Sequence, residues 1–276
     1  MRIAVLTTDQ PNERALCWKL AAEGRIAGVV CAKNIRTPNR RWRWARWRQR
    51  VANRTVGAPF VSAWAALQRR YAAQHPGWLE APRLAVRNVN DAQTLAFLDR
   101  IAPDFVLVSG TTLLGPALLS QAPRWRALWN LHTGLSPYVK GGPNCTNWCL
   151  ASGALHLIGN TIMWLDAGVD SGPIVASERA PLTGRETLPE LHWAVMEHAH
   201  DLSVRAVRAL LAGRSVPRVP QASLGDGRTF RNGDWTAAAM RRAWAAFRRD
   251  YRPEALAADG VRVVPLESGC EAGARA

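Results

Sequence analysis

Apolar and polar positions in the first part of the chain follow the order strand, helix, strand. The apolar run from Ile3 to Leu6 has the length of a buried strand, and Ile26 to Cys31 forms a second such run. Residues 13–23 between them have a helical period, with Asp9 and Asn12 as candidate N-caps. This order predicts two parallel strands joined by a right-handed crossover.

The same pattern extends over the rest of the chain. Predicted helices cover residues 60–74, 91–101, 116–121, 143–152, 186–212 and 235–250. Predicted strands cover residues 105–108, 127–131 and 157–165, and residues 173–177 form an antiparallel return. We therefore predict an α/β fold, with a mostly parallel sheet flanked by helices and a short helical C-terminal appendage.

Composition changes near residue 213, where Pro217, Pro220 and the Gly225-Asp226-Gly227 turn follow the longest predicted helix. We predict one main domain over residues 1–212 and a short C-terminal extension over residues 213–276. The Gly- and Ala-rich end of that extension is expected to be disordered.

The net charge of +15 over 276 residues is concentrated in one segment. No acidic residue lies between Glu23 and Glu80, whereas twelve lysines and arginines lie there. We interpret the part of this segment at about 33–80 as a basic insertion into the fold. This concentration favours a single surface for an anionic partner over a nucleic-acid coat that covers the whole protein. Nucleic acid is therefore not the expected partner.

Within this segment, Trp44, Trp47 and Val51 share one helical stripe, by which a short helix could dock and present its arginines outward. Three alternatives remain open for the arginines. They could form a solvated surface, they could line the acceptor side of the cleft and attract a diphosphate there, or they could contact a membrane surface or nucleic acid.

Several classes of protein are disfavoured by motifs that the sequence lacks. Neither GxGxxG nor GxxxxGK[ST] occurs, the five cysteines include no CxxC pair, and the histidines lack HExxH spacing. No metal site is therefore predicted. No apolar run reaches the roughly 20 residues of a membrane span, and the first run is too short for a signal peptide, so a cytoplasmic protein is expected.

Asn130, His132 and a later carboxylate carry the candidate chemistry. Asn130 and His132 lie at the end of a predicted strand and, being two apart, face the same side. The carboxylate comes from the turn between two later strands, which contains both Asp166 and Asp170. An amide can stabilise an oxyanion, an imidazole can take a proton from an amine, and a carboxylate can orient the imidazole. In the absence of a GxSxG elbow, direct acyl transfer to an amine is the simplest interpretation.

Asn130-x-His132, the following Leu-Ser-Pro-Tyr-x-Lys-Gly and the later Asp170-Ser-Gly-x-Ile resemble the formyltransferases that use 10-formyltetrahydrofolate. The resemblance covers about residues 1–212. It implies a Rossmann-like catalytic domain with Asn130, His132 and Asp170 as the catalytic trio. The departures, Thr133, Lys140 and Asn160, leave that trio intact.

The resemblance also implies where the pterin lies, against two loops. The residues expected to bind it are Gly110, Thr111, Thr112, Leu113, Leu114, Leu165, Asp166, Ala167, Gly168 and Val169. Asp166 could instead cap its own turn.

Among the branches of this family, the enzymes that formylate nucleotide-linked amino sugars resemble the chain most, through the Leu135-Ser136-Pro137 loop, the insertion and the short extension. A methionyl-tRNA formyltransferase would need a C-terminal barrel of about a hundred residues. We therefore expect a small-molecule amine as acceptor. There are three alternatives: a formyltransferase that acts on another small amine, one that acts on methionyl-tRNA, and a nucleic-acid-binding protein on an inactive formyltransferase scaffold. The protein could also form a homodimer.

Overall fold

A computed structural model describes residues 1–33, 40–257 and 260–266, with the side chains of residues 40–46 outside the description. Its main sheet has seven strands in the order β3-β2-β1-β4-β5-β7-β8. The strands of this sheet are β1 (Arg2–Thr7), β2 (Arg25–Ala32), β3 (Arg83–Val86), β4 (Phe105–Ser109), β5 (Ala127–His132), β7 (Gly159–Trp164) and β8 (Ile174–Arg179). A separate pair joins β6 (Val139–Gly141) to β9 (Arg228–Phe230).

The sheet changes direction at β5. The first five strands in the order are parallel, whereas β7 runs antiparallel to β5, and β8 runs antiparallel to β7. The predicted mostly parallel α/β sheet with an antiparallel return is thus confirmed. The central strands are apolar on both faces because helices cover both sides of the sheet, as in β1, where Ile3 to Thr7 are fully buried.

Eight α-helices of the described chain pack around these strands. They are α1 (Pro11–Ala21), α2 (Arg40–Arg54), α3 (Ala58–Gln74), α4 (Ala92–Ile101), α5 (Pro116–Leu119), α6 (Cys145–Ser152), α7 (Leu188–Leu211) and α8 (Ala237–Asp250). The core on one face of the sheet centres on Trp129, which is fully buried and contacts Phe105 and Trp164 edge to face. No helix in the described ranges is both long enough and apolar enough to cross a bilayer.

The described part of the C-terminal extension shares a core with the main domain. Phe230 stacks on Trp148 of α6 with ring centroids 4.3 Å apart, and Trp235 contacts both Trp148 and Phe60. Helix α8 then buries Ala239, Met240 and Ala243 in the same cluster. The expected disorder at the chain end concerns residues 267–276, which lie outside the described residues.

Two local predictions are wrong. Helix α1 begins with Pro11 after Gln10, and neither Asp9 nor Asn12 caps it. Asp9 instead accepts hydrogen bonds from Arg14 and Trp78, and Asn12 lies within the first turn of the helix. Residues 40–54 do form a helix, but Trp47 is 58% and Val51 is 42% exposed. Trp47 and Val51 are therefore not packed into the core. The side chain of Trp44, the third residue of the predicted stripe, is not among those that the structure describes.

His192 generates a prediction about acid stability. It lies on α7, is 4% exposed and meets the ring of Trp64, and this burial lowers its pKa to about 4. Because its pKa in the unfolded chain is near 6.5, the unfolded chain binds more protons, and stability is lost as pH falls from about 6.5 toward 4. In urea titrations, wild type should lose roughly 2 kcal/mol more than His192→Leu between pH 8 and pH 5. Equal losses in the two proteins would show that His192 does not titrate in this way.

Candidate active site

Asn130 and His132 extend from the same face of β5. Their neighbours Trp129 and Leu131 point to the opposite face, into the main core, because side chains alternate along a strand. Asn130 is half-buried and His132 is only 8% exposed. The strand thus presents an amide and an imidazole, two residues apart, at its carboxyl end.

Asp170 joins these two side chains into one network. Its Oδ1 accepts a hydrogen bond from Asn130 Nδ2 at 3.0 Å, and its Oδ2 lies 3.3 Å from His132 Nδ1. Oδ2 also accepts from the backbone N–H of Gly141, at 3.0 Å. The structure therefore brings together all three residues predicted for catalysis, although 40 positions separate Asn130 from Asp170.

The backbone of Asp170 lies in the left-handed region, with φ of 48°. A non-glycine residue holds this conformation only where its surroundings determine it, and aspartate tolerates it better than most. Gln221 supplies part of that support, since its Nε2 donates to the carbonyl oxygens of Asp170 and Gly172, each at 2.8 Å. Gln221 belongs to the C-terminal extension, and no sequence motif indicated its role.

The charge state of His132 follows from its two partners. Burial by itself would lower the pKa of His132, but the Asp170 carboxylate opposes this effect, and contacts with Cys145 and Val139 add to the opposition, so the pKa is raised to about 10. The imidazole is therefore protonated at neutral pH in the free protein.

Cys145 is a neighbour of His132 that the sequence analysis did not identify. Its Sγ lies 3.5 Å from His132 Nε2 and donates to the carbonyl oxygen of Gly141 at 3.4 Å. Burial raises the pKa of the thiol, so sulfur is present as the neutral group. His132 Nε2 also lies 3.2 Å from the carbonyl oxygen of Val139. Gly134 is required beside this ring, because a Cβ there would collide with His132 Nε2.

The first predicted pterin loop, residues 110–114, follows β4 directly. Asn90 holds it from outside, donating to the carbonyl of Leu113 at 2.9 Å and accepting from the N–H of Gly115 at 2.6 Å. Leu113 is 50% exposed, and the buried hydroxyl Oγ1 of Thr112 has no hydrogen-bond partner among the residues that the structure describes.

A buried carboxylate supports this loop from beneath. Glu13 accepts from Thr7 Oγ1 at 2.8 Å and from Asn12 Nδ2 at 3.0 Å, and burial raises its pKa. A Cβ on Gly110 would lie 3.0 Å from Glu13 Oε1, and Gly110 itself has a positive φ of 69°. This turn therefore requires glycine at position 110, because glycine has no Cβ and adopts a positive φ without strain.

The second predicted pterin loop leads from β7 to Asp170. Leu165 is half-buried against the core beneath the first loop, and Val169 is 42% exposed. Asp166 Oδ1 accepts from the N–H of Gly168 at 3.0 Å and from Ser171 Oγ at 2.7 Å. Asp166 therefore caps its turn, which was the alternative interpretation of this residue, while its predicted contact with pterin stays a prediction.

Comparison with known proteins assigns the family. The family model described as formyl transferase matches residues 1–207. The chain belongs to the formyl transferase family.

The matched relatives and solved structures fit this assignment. A methionyl-tRNA formyltransferase of Clostridium perfringens is 30% identical over 132 residues, which are 48% of this chain and 42% of the relative. This chain thus spans less than half the length of that relative. A phosphoribosylglycinamide formyltransferase from Bacillus halodurans has a TM-score of 0.53 at 20% identity, covering 77% of this chain and 96% of the other.

A sugar N-formyltransferase from Shewanella sp. FDAARGOS_354 also has a TM-score of 0.53, at 12% identity. That alignment covers 88% of this chain and 87% of the Shewanella chain. At identities of 20% and 12%, these two similarities show that this chain shares the fold of both structures, and no more than the fold.

Cys145 and its neighbour Cys149 allow a matched test. Cys145→Ala removes the sulfur beside His132, and a lost hydrogen bond of about 1 kcal/mol should lower kcat roughly fivefold, with little change in KM. Cys145→Ser keeps a donor toward Gly141 and should restore kcat to within about twofold. Activity assays on purified variants would measure both.

The control is Cys149→Ala, which makes the same chemical change one turn further along α6, in the apolar cluster. It should lower stability without lowering kcat. If Cys145→Ala and Cys149→Ala behaved alike, Cys145 would have no role in positioning His132.

Proposed function

We propose that the chain is an N-formyltransferase that moves a formyl group from 10-formyltetrahydrofolate to a primary amine. The observation that carries the proposal is the network in which Asp170 holds Asn130 and His132 beside one another at the end of β5. Membership of the formyl transferase family supports the same activity. The network offers an amide donor, a charged imidazole and a carboxylate within hydrogen-bond distance, as transfer to an amine requires.

The two predicted pterin loops fit the donor. Leu113 and Val169 offer exposed apolar surface for a flat ring, and Thr112 offers a hydroxyl that lacks a partner among the described residues. When bound, the folate supplies an electrophilic formyl carbon and a nitrogen leaving group. Residues 110–114 and 165–169 would hold it beside Asn130.

Asn130 is placed to stabilise negative charge on the formyl oxygen. One hydrogen of its amide nitrogen is donated to Asp170, which fixes the amide plane. The second hydrogen of the same nitrogen is available to an oxygen in the cleft. Asp170 thus orients Asn130 as well as His132.

The raised pKa of His132 favours a role different from the base predicted from the sequence. A base must be neutral, whereas His132 beside Asp170 carries a proton until the pH approaches about 10. We propose that the imidazolium stabilises developing negative charge and, once Nε2–H exchanges the carbonyl oxygen of Val139 for the leaving nitrogen, donates its proton there, while Nδ1–H stays on Asp170. The neutral imidazole then takes up the proton that the attacking amine releases, so that His132 ends the cycle in its initial state.

For the acceptor, we propose an amine on a nucleotide-linked sugar. The Leu135-Ser136-Pro137 loop and the fold shared with the Shewanella sugar N-formyltransferase support this acceptor. The described extension folds back beside the site, where β9 pairs with β6 and Gln221 binds the backbone of Asp170. Methionyl-tRNA is the second candidate, because the relative from Clostridium perfringens is a methionyl-tRNA formyltransferase.

The catalytic assignment predicts the effect of three variants. Asn130→Ala, His132→Ala and Asp170→Ala should each lower kcat/KM about a hundredfold or more, and their effects should not add, because the three residues act as one unit. A folate analogue should still raise the melting temperature of each variant, which separates a catalytic loss from a folding loss. Near-normal turnover by His132→Ala would exclude the proposed role of His132.

The same assay across pH tests the charge state of His132. After kcat/KM is divided by the neutral fraction of the acceptor amine, the wild-type profile should be flat from pH 7 to pH 9. It should fall as the pH approaches about 10, where His132 loses its proton. A corrected profile that instead rose tenfold per pH unit between pH 7 and pH 9 would identify neutral His132 as a base.

A panel of acceptors tests the substrate. Nucleotide-linked amino sugars, free amino sugars and methionyl-tRNA should be assayed separately with 10-formyltetrahydrofolate, by mass spectrometry of the formylated product. We expect the highest kcat/KM with a nucleotide-linked amino sugar. Preference for methionyl-tRNA would support the second candidate. Strong oligonucleotide binding that falls steeply with salt, with no formylation of any amine, would contradict both.

A further inference from the structure

A cavity of about 560 Å³ lies between α8 and the turn that joins α2 to α3. None of its lining residues belongs to the Asp170 network. The lining residues are Val56, Arg241, Trp244, Ala245, Arg248, Arg249 and Arg252. We call this cavity the α8 pocket.

The α8 pocket carries a concentrated positive charge. Four of its seven lining residues are arginines. Arg249 is paired with Asp250 through two contacts of 2.7 and 2.9 Å. Together with the hydrogen bonds from Arg249, the charge of Arg252 helps to lower the pKa of Asp250, so one carboxylate serves two arginines. Within the described parts of the chain, Arg241 and Arg248 form no ion pair, and all three of Arg241, Arg248 and Arg252 are exposed.

Helix electrostatics explain only part of this arrangement. Arg248 lies in the last turn of α8, where positive charge is stabilised by the helix dipole. Arg241 lies near the beginning of α8, where that stabilisation is absent, and Arg252 lies beyond its end. Guanidinium groups around one cavity repel one another, and an anion between them would relieve that repulsion. Phosphate oxygens match guanidinium groups in geometry as well as in charge.

The apolar side of the α8 pocket adds a second kind of contact. Trp244 is half-buried, stacks on Phe247 with ring centroids 5.8 Å apart, and meets the edge of Phe60. It also lines the cavity, where an indole offers a surface on which a nucleobase can stack. The cavity volume lies in the usual range of roughly 300–1,000 Å³ for small-molecule sites.

We propose that the α8 pocket binds a free nucleotide, with its phosphates on Arg241, Arg248 and Arg252 and its base against Trp244. A nucleotide presents phosphates and a base together, which is the combination that the arginines and the indole of this one pocket would bind. The proposal does not depend on formyl transfer, because none of these residues contacts Asn130, His132 or Asp170 in the described structure.

Isothermal titration of the full chain at constant ionic strength, without formyl donor, tests the α8 pocket. The probes are ADP, UDP, inorganic pyrophosphate and adenosine. Arg248→Gln/Arg252→Gln should weaken binding of both diphosphates at least tenfold, and Trp244→Leu should weaken it severalfold. Pyrophosphate binding should depend on the arginines but not on Trp244. Adenosine should bind much more weakly than ADP.

The matched control is Arg87→Gln/Arg214→Gln, which removes two exposed arginines elsewhere and should leave nucleotide binding unchanged. Equal losses in the two double variants would show non-specific attraction by the net charge. Absence of saturable binding to the wild type would also overturn the proposal. An RNA oligonucleotide bound a hundredfold more tightly than ADP, and weakened by both double variants, would replace it with a nucleic-acid surface.

Discussion

The site depends on the contacts of one half-buried carboxylate, that of Asp170. It faces the amide of Asn130, the imidazole of His132 and the backbone N–H of Gly141, and its side chain is only 15% exposed. A negative charge in such a place is costly unless it is matched by donors and by a positive charge. His132 supplies the positive charge, which is why its pKa is raised and why the pair is stable at neutral pH.

The sheet places these groups where a substrate can reach them. Strand β5 lies between the parallel strand β4 and the antiparallel strand β7. The loop after β4 therefore reaches the carboxyl end of β5 directly, while the chain leaving β7 must turn back to bring Asp170 to the same end. This change of direction gives the site its two flanking loops, in keeping with the general position of ligands at the carboxyl edge of α/β sheets.

The C-terminal extension belongs to the site as well as to the core. Gln221 fixes the backbone on both sides of Ser171, and β9 pairs with β6, which carries Gly141. The stacking of Phe230 on Trp148 then anchors this segment to α6, the helix that begins with Cys145. A substitution in the extension can therefore alter the position of His132 in two ways: through β6, which carries Gly141, or through α6, which begins with Cys145.

Apolar runs and helical periods are local properties of the chain, and they predicted six of the seven strands of the main sheet. They did not predict the short strands β3, β6 and β9, which have too few residues for a clear pattern. The sequence also indicated Asn130 and His132, because an amide and an imidazole two apart at a strand end form a recognisable pair, whereas the choice of Asp170 over Asp166 came from the resemblance of the motifs to a known family. It could not identify Cys145, Gln221 or Gly141 as partners of that network. Their contacts join residues that only folding brings together, and a buried thiol or a glutamine carries no distinguishing local pattern.

Tertiary structure also determined two properties that local sequence patterns predict incorrectly: the exposure of one helix face and the charge of His132. The stripe that includes Trp47 and Val51 has the spacing of a buried helix face, yet both side chains are exposed, because burial depends on what lies opposite. The charge of His132 is likewise a tertiary property. An imidazole in sequence is expected to titrate near pH 6.5, and only the placement of Asp170 against Nδ1 turns it into a group protonated at neutral pH.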